Sequence, residues 1–231
     1  MQSNKYIFIY SSVMVILVAL ILSSAAMFLR PMQERNVRIE KMQNILASIN
    51  IQAPRAEAEQ MFSQYIVGSK IINTKGEELQ GEAFEIDLGN EIRKAPEDRQ
   101  LPIFEAEVNG AKFYIVPVRG AGLWGPIWGY ISLEENLTTI AGANFDHASE
   151  TPGLGSQIRD MAFESQFVGK RIFDEAGNFA PVRVVRGGAQ PGDLHGVDAI
   201  SGGTITSRGV DNMLTEGLGN YELYFRKLKN L

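Results

Sequence analysis

Residues 103–118 read IFEAEVNGAKFYIVPV, and this stretch decides the fold class of the chain. Two runs rich in β-branched and aromatic residues flank Asn109-Gly110, a dipeptide that favours a tight hairpin turn. Two further strand patterns, IWGYISLE and TTIAGANFDH, follow the hairpin, and helical patterns lie on either side. Neighbouring strand pairs with flanking helices predict an α+β fold with antiparallel strands, rather than a parallel α/β fold.

Composition excludes several classes of function. The net charge of −5 at pH 7 argues against general nucleic-acid binding, because a phosphate-binding face needs an excess of basic residues. The chain has no cysteine, which excludes disulfides, a thiol nucleophile and a cysteine-ligated zinc or iron–sulfur site. His147 and His195 are the only histidines, so a histidine-rich site is also excluded and we expect no bound metal.

The amino-terminal region contains an uncharged run of about 24 residues, YIFIYSSVMVILVALILSSAAMFL, at positions 6–29. A helix rises about 1.5 Å per residue, so this run is long enough to cross a hydrocarbon core of about 30 Å. The alternative is a cleaved signal peptide with SSAA near the cut, but the run exceeds the usual length of such a segment. We therefore expect one membrane-spanning helix in contact with lipid.

The charges that flank this run leave its orientation open. Lys5 precedes it, and four basic residues follow it: Arg30, Arg35, Arg38 and Lys41. A count of positive charges would keep the trailing side in the cytoplasm, but large domains are translocated largely regardless of charge.

Two glycine-rich stretches could contact a ligand. In GAGLWGPIWGYISL, residues 120–133, glycines around Leu123 and Trp124 allow close backbone approach, and an aromatic ring could cover a flat ligand. The alternative there is a tight turn beside a buried tryptophan. In HASETPGLGSQI, residues 147–158, backbone N–H groups at a helix entry could hold an anion or a flavin carbonyl. The alternative is that this turn simply starts a helix with Ser156 as its cap.

A third stretch, SGGTITS at positions 201–207, combines two glycines with four hydroxyl side chains. Glycines let backbone amides approach a phosphate, and a helix that starts near Ser207 would point its positive end at the site. No lysine follows the second glycine as in a Walker loop, and no GxSxG elbow is present, so we predict no catalytic residue. The simpler interpretation is a turn that caps the last helix.

The segment DAISGGTITS, residues 198–207, resembles the D-x-x-S/T-G-A-T-x-S/T signature of the FMN-binding domain family, whose motif threonine carries FMN through a phosphoester bond. GAGLWGPIWGYISL and ETPGLGSQI resemble segments of the C subunit of sodium-translocating NADH:quinone reductases, a family with one amino-terminal membrane helix. The G subunit of the Rnf complex is a close relative that shares the flavin motif and ETPGLG, but the GLW segment is more similar to the sodium-pump protein. The family usually has alanine at the position of Gly203.

The resemblance implies that FMN is covalently attached to Thr204. Leu123, Trp124, Glu150, Thr151, Gly153 and Leu154 are implied to place or cover the flavin ring. The remaining candidate cofactor-binding residues lie in the motif itself: Ser201, Gly202, Gly203, Thr206 and Ser207.

The resemblance further implies an electron-carrier component of a membrane NADH:quinone oxidoreductase coupled to sodium export, not active alone. Its expected partners are the other membrane, flavin and iron–sulfur subunits and a flavin-attaching transferase. Its expected location is the bacterial inner membrane, as a single-pass protein with the soluble domain in the periplasm. A membrane-tethered assembly module without a redox group is the alternative from another class; it would not explain the Thr204 loop.

The predicted organisation has three parts. Residues 1–30 form the membrane helix with a short leading flank, residues 31–100 a helical stalk and mixed subregion, and residues 101–231 the FMN-binding domain.

Overall fold

The computed structural model describes residues 4–229, so the first three residues of the predicted membrane segment and the last two of the predicted FMN-binding domain lie outside the described residues. The chain divides into two compact units, Met1–Lys41 and Met42–Leu231.

The first unit is the amino-terminal part of helix α1 (Asn4–Ser48), which contains Pro31. Among the residues described, α1 is the one helix long and apolar enough to cross a membrane. Its apolar side chains are exposed along residues 6–29, Phe8 to 74% and Phe28 to 79%. A helix that is apolar on every face and exposed all round is consistent with a single membrane-spanning anchor.

The second unit is built on a six-stranded antiparallel sheet with the strand order β2-β1-β3-β4-β5-β6. The strands are β1 (Ile66–Ile72), β2 (Glu78–Leu79), β3 (Leu101–Val108), β4 (Ala111–Ala121), β5 (Pro126–Glu134) and β6 (Ile140–His147). The α+β prediction is therefore confirmed. The strands β1 and β2 come from the predicted mixed subregion and extend the sheet beyond the predicted hairpin.

The β3–β4 hairpin turns at Asn109 and Gly110, as the sequence predicts. Both residues have positive φ, 53° and 83°, which is the backbone of a two-residue turn that matches strand twist. The register pairs Val108 with Ala111 and Phe104 with Ile115. This register places the apolar residues of the two strands on matching faces of the sheet.

Helices cover both faces of the sheet. They are α2 (Ala58–Tyr65), α3 (Leu88–Glu91), α4 (Met161–Glu164), α5 (Thr204–Gly219) and α6 (Glu222–Lys229). One face, with Val116 and Val118, shares a buried core with Met213 and Leu214 of α5. The other face, with Phe104, Ile115 and Tyr130, shares a second core with Ile45 and Leu46 from the end of α1.

The pattern GSQIRDMAFESQFVG, residues 155–169, is typical of one helix with Ser156 as its cap, but the structure divides it into three short pieces. These are a 3-10 turn at Gly155–Arg159, then α4, then a 3-10 turn at Ser165–Phe167. The break lies at Asp160, whose backbone is extended. Ile158, Phe163 and Phe167 are all buried, and a spacing of five between the first two does not fit one face of a continuous helix. The break at Asp160 changes the direction in which the second piece presents its side chains, so that all three of these residues reach the core.

The region between α4 and α5 also differs from the prediction. The patterns KRIFDEAGNF, residues 170–179, and PVRVVRG, residues 181–187, are typical of short strands. β7 (Arg183–Val185) forms within the second pattern, but it pairs in parallel with β8 (Gly196–Asp198), which no pattern indicated. The expected strand at residues 170–179 is reduced to isolated bridges, Thr139 with Arg171 and Phe173 with Phe179. Parallel pairing needs a partner that is distant in sequence, which local patterns do not reveal.

Glu164 at the end of α4 covers the free edge of β6. Its Oε1 accepts hydrogen bonds from the Phe145 N–H, at 2.6 Å, and from Asn144 Nδ2, at 3.3 Å. Burial raises the pKa of this carboxyl to about 7, with a further rise from Asp146. Because the folded protein favours the protonated carboxyl, this group contributes its full stability below the ordinary pKa of about 4.5. That stability is lost as the pH rises through about 7.

We expect Glu164→Gln to make the protein more stable at pH 8 by about 1 kcal/mol, after discounting for solvent screening, and to leave stability unchanged near pH 4.5. The amide keeps an oxygen acceptor for the Phe145 N–H and carries no charge at either pH. Denaturant unfolding of both proteins across this pH range measures the effect. The control is Glu135→Gln, at an exposed glutamate without a hydrogen bond in the described part of the chain. A Glu164→Gln difference that does not change with pH would contradict the prediction.

Candidate functional site

The site is centred on Thr204, the first residue of α5. The helix starts three residues earlier than the predicted start near Ser207, so the motif hydroxyls lie in its first turn. Gly203 is the N-cap, and no side chain caps the helix. Thr204 is exposed, and its hydroxyl makes no hydrogen bond to any described residue. A free hydroxyl therefore lies at the positive end of a 16-residue helix.

The other two hydroxyls of this turn are buried. Thr206 is 1% exposed, and its Oγ1 donates to Glu150 Oε2 at 2.5 Å. Ser207 is 3% exposed, and its Oγ accepts from the Ile200 N–H at 3.0 Å. Ser201 is exposed but precedes the helix. Within α5, Thr204 is thus the motif hydroxyl that a ligand or an enzyme can reach.

Glu150 joins the three stretches that the sequence singles out. It is 4% exposed. Its Oε2 accepts from Thr206 at the start of α5, and its Oε1 accepts from the Trp124 N–H at 2.9 Å. The Glu150 N–H donates to His147 Nδ1 at 3.2 Å. We call this arrangement the Glu150 junction: the Glu150 carboxylate with Trp124 N–H and Thr206 Oγ1. Because Glu150 is buried, its carboxylate connects the three stretches on the interior side of the site.

Two glycines are required by the close packing around this junction. A Cβ at Gly155 would clash with Thr206 Oγ1 and would lie 2.5 Å from Glu150 Oε2. Gly202 has a φ of +74°, and a Cβ there would lie 2.6 Å from Leu154 Cδ2. A side chain at Gly155 would press on the Glu150 junction itself, whereas at Gly202 it would strain the positive-φ backbone and push aside the exposed Leu154 side chain.

Four exposed apolar side chains lie on the three stretches that meet at the Glu150 junction. Leu123 is 46% exposed, Trp124 65%, Leu154 42% and Ile205 56%. The tight turn of the alternative interpretation does form, since the Gly122 N–H donates to the Gly125 carbonyl at 2.8 Å, but Trp124 within it is exposed rather than buried. Ile205 was missed by sequence reasoning, although its place between two motif threonines was the available signal. We call these four side chains the apolar rim.

The loop that carries Leu154 is held by local hydrogen bonds. Trp124 Nε1 donates to Thr151 Oγ1 at 3.1 Å, which links this loop to the loop after β4. Ser156 does not act as a helix cap, because its Oγ accepts from the exposed Gly153 N–H at 3.1 Å. Thr151 and Gly153 thus hold this loop in place through hydrogen bonds, and Leu154 is itself part of the apolar rim. Among residues 4–229, no group of three or more His, Asp or Glu side chains could hold a metal ion.

Known proteins share this architecture. The sequence matches the FMN-binding domain family over residues 122–219. The C subunit of the Na(+)-translocating NADH-quinone reductase from Vibrio vulnificus is 33% identical over 224 residues, which cover 87% of this chain and 86% of that protein. The chain belongs to the C-subunit family of Na(+)-translocating NADH-quinone reductases.

Solved structures of this family agree with the fold. The crystal structure of the C subunit from Parabacteroides distasonis has a TM-score of 0.79 and 43% identity, and covers 85% of this chain and 96% of its own. The crystal structure of Shewanella oneidensis NqrC has a TM-score of 0.71 and 28% identity. The match covers 84% of this chain and 98% of the Shewanella chain. The resemblance to this reductase component is confirmed, and the FMN-binding domain includes the apolar rim, the Glu150 junction and the whole of α5.

We expect Thr206→Val to destabilise the protein by about 1–3 kcal/mol, because it leaves a buried carboxylate oxygen without its donor. Valine has nearly the same shape, so the change removes the hydrogen bond and little packing. Thermal unfolding of the full chain in detergent measures the loss. The control is Thr215→Val on the same helix, where the exposed hydroxyl bonds only the Asp211 carbonyl. Equal unfolding temperatures for the two variants would show that the Glu150 junction does not stabilise the site.

Proposed function

We propose that this protein is the FMN-carrying electron-transfer component of a Na(+)-translocating NADH-quinone reductase, with FMN joined through its phosphate to Thr204. The observation that carries the proposal is the exposed, unbonded hydroxyl of Thr204 within a family motif whose Thr206 and Ser207 hydroxyls are buried and bonded. A flavin-attaching transferase can reach Thr204 Oγ1 on the folded protein and would move FMN to it from a phosphoanhydride donor. The new P–O bond forms as the donor's P–O–P bond breaks, the other phosphate leaves, and the threonine proton is released.

The start of α5 fits a phosphate. The Ser207 N–H donates to the Gly203 carbonyl at 2.8 Å, and no described residue accepts from the N–H groups of Thr204, Ile205 and Thr206. These free N–H groups and the helix dipole favour a negative group at this end. The turn at Gly202 has no side chain to obstruct the approach. The phosphate would therefore be held by backbone atoms as well as by the ester bond.

The apolar rim fits a flat ring. The rim residues offer exposed apolar surface on the three stretches that meet at the Glu150 junction, and the aromatic Trp124 suits stacking on an isoalloxazine. Attached FMN would supply the electron-transfer chemistry, while this chain would fix its position. Attachment through the phosphate leaves the ring unmodified.

The proposed role belongs to a complex. This chain has no dinucleotide-binding fingerprint, so we propose that it does not oxidise NADH alone and exchanges electrons with other flavin or iron–sulfur subunits. Sodium export would be an activity of the assembled complex. We place the protein in the bacterial inner membrane, anchored by α1, with its soluble domain in the periplasm.

The first test is the intact mass of the denatured protein, purified from cells that contain the flavin-attaching transferase. We expect a gain equal to FMN less one water, located on the peptide that contains Thr204. Thr204→Ala should lose the added mass, whereas Thr215→Ala, at an exposed threonine of the same helix, should keep it. Flavin that remains on the denatured Thr204→Ala protein would contradict the attachment site. A wild-type protein without added mass beside an active transferase would favour the assembly module without a redox group.

The second test is protease accessibility in spheroplasts. A periplasmic soluble domain should be digested by protease added outside intact spheroplasts, and lysis should add no further digestion. A cytoplasmic protein of the same cells serves as the control for intact membranes. Protection of the soluble domain until lysis would overturn the periplasmic placement.

A further inference from the structure

We propose that Arg208 is a positioning residue that pairs with the phosphate of the flavin on Thr204. The inference rests on the proposed function. Arg208 is exposed, and its side chain makes no ion pair or hydrogen bond with any described residue. It therefore has a free guanidinium close to the predicted attachment site.

The geometry of α5 brings Arg208 and Thr204 together. Residues four apart lie on the same helix face, with Cβ atoms about 5–6 Å apart. Helical side chains lean toward the amino end, so the guanidinium can reach the turn that begins with Thr204. The opposite face, with Thr206, Ser207 and Val210, is buried, which fixes the rotation of the helix. Thr204, Ile205 and Arg208 consequently share the exposed face.

The local charges also favour an anion here. A cation near a helix amino terminus is unfavourable with respect to the helix dipole, and α5 has no acidic residue in its first turn. Asp211, three residues beyond Arg208, is already engaged. Its two oxygens accept from Arg183 Nε and Nη2, both at 2.8 Å, and Oδ1 also accepts from the Val184 N–H. Glu150 is bonded to this turn at Thr206, but it is buried and its oxygens already accept from Thr206 and Trp124. Arg208, on the exposed face, therefore has no carboxylate bonded to it among the described residues.

A phosphodiester on Thr204 would complete this arrangement. It carries a negative charge and two unesterified oxygens, which suit the planar fork of an arginine. Pairing with Arg208 would fix the direction in which the phosphate leaves the helix. It would thereby direct the ring toward the apolar rim.

The test is a thermal unfolding cycle on the full chain in detergent. Arg208→Gln is compared with the unchanged residue in two backgrounds: flavin-bearing protein, and flavin-free Thr204→Val protein. With flavin, we expect Arg208→Gln to lower the Tm by about 2–4 °C. Without flavin, we expect no change or a small rise, because a cation is removed from the positive end of the helix. The flavin-dependent difference should shrink as the salt concentration rises.

Two further variants sharpen the result. Arg93→Gln, at an exposed arginine without an ion pair in the described part of the chain, removes the same charge and should shift the Tm equally in both backgrounds. Arg208→Lys keeps the charge but loses the fork, so it should give an intermediate flavin-dependent shift. If Arg208→Gln takes up no flavin, Arg208→Lys is the test variant.

Equal Tm shifts for the Arg208 variants with and without flavin would overturn the inference. Intact mass is measured on every sample. A wild-type protein that carries no flavin on Thr204 would mean that the proposed function has failed, which is a separate outcome from a failed pairing with Arg208.

Discussion

The Glu150 carboxylate is the constraint on which the site depends. It lies 26 residues from Trp124 and 56 residues from Thr206, yet it accepts a hydrogen bond from each. A buried carboxylate is unfavourable unless both of its oxygens have donors. The loop after β4, the loop after β6 and the start of α5 must therefore come together as a set. This requirement fixes where α5 begins, and with it the position of Thr204.

Because of the Glu150 junction, the first turn of α5 has a buried face that anchors the helix and an exposed face that a ligand can reach. Thr206 and Ser207 face inward and hold the helix, whereas Thr204, Ile205 and Arg208 face outward. The same small hydroxyl residues look alike in sequence, but their positions around the helix give them different roles. A chemical group added to the outward residues does not need to disturb the hydrogen bonds beneath. The site can thus be modified after the fold has formed.

Sequence reasoning reached the parts of this structure that local signals encode. The Asn109-Gly110 turn and the alternating strands were enough for the antiparallel sheet, and a family motif pointed to Thr204. Local signals did not predict the elements whose structure depends on packing against residues that are distant in the sequence. The spacing of Ile158 and Phe163 breaks a helix that looked continuous, and β8 pairs with a strand eleven residues before it. Glu150 was included as a ring contact, but nothing in the sequence shows that it bonds Thr206 from below.

The exposure of Thr204 gives a physical reason for the covalent attachment that we propose. Sites that hold a cofactor without a covalent bond usually enclose most of its surface. The apolar rim is open: each of its four side chains is more than 40% exposed. Such a surface would retain free FMN weakly, because little apolar area is removed from water on binding. An ester bond to Thr204 would keep the ring at the rim at a high effective concentration without enclosing it. The ring edge would then stay accessible, as the proposed electron transfer to and from other subunits requires.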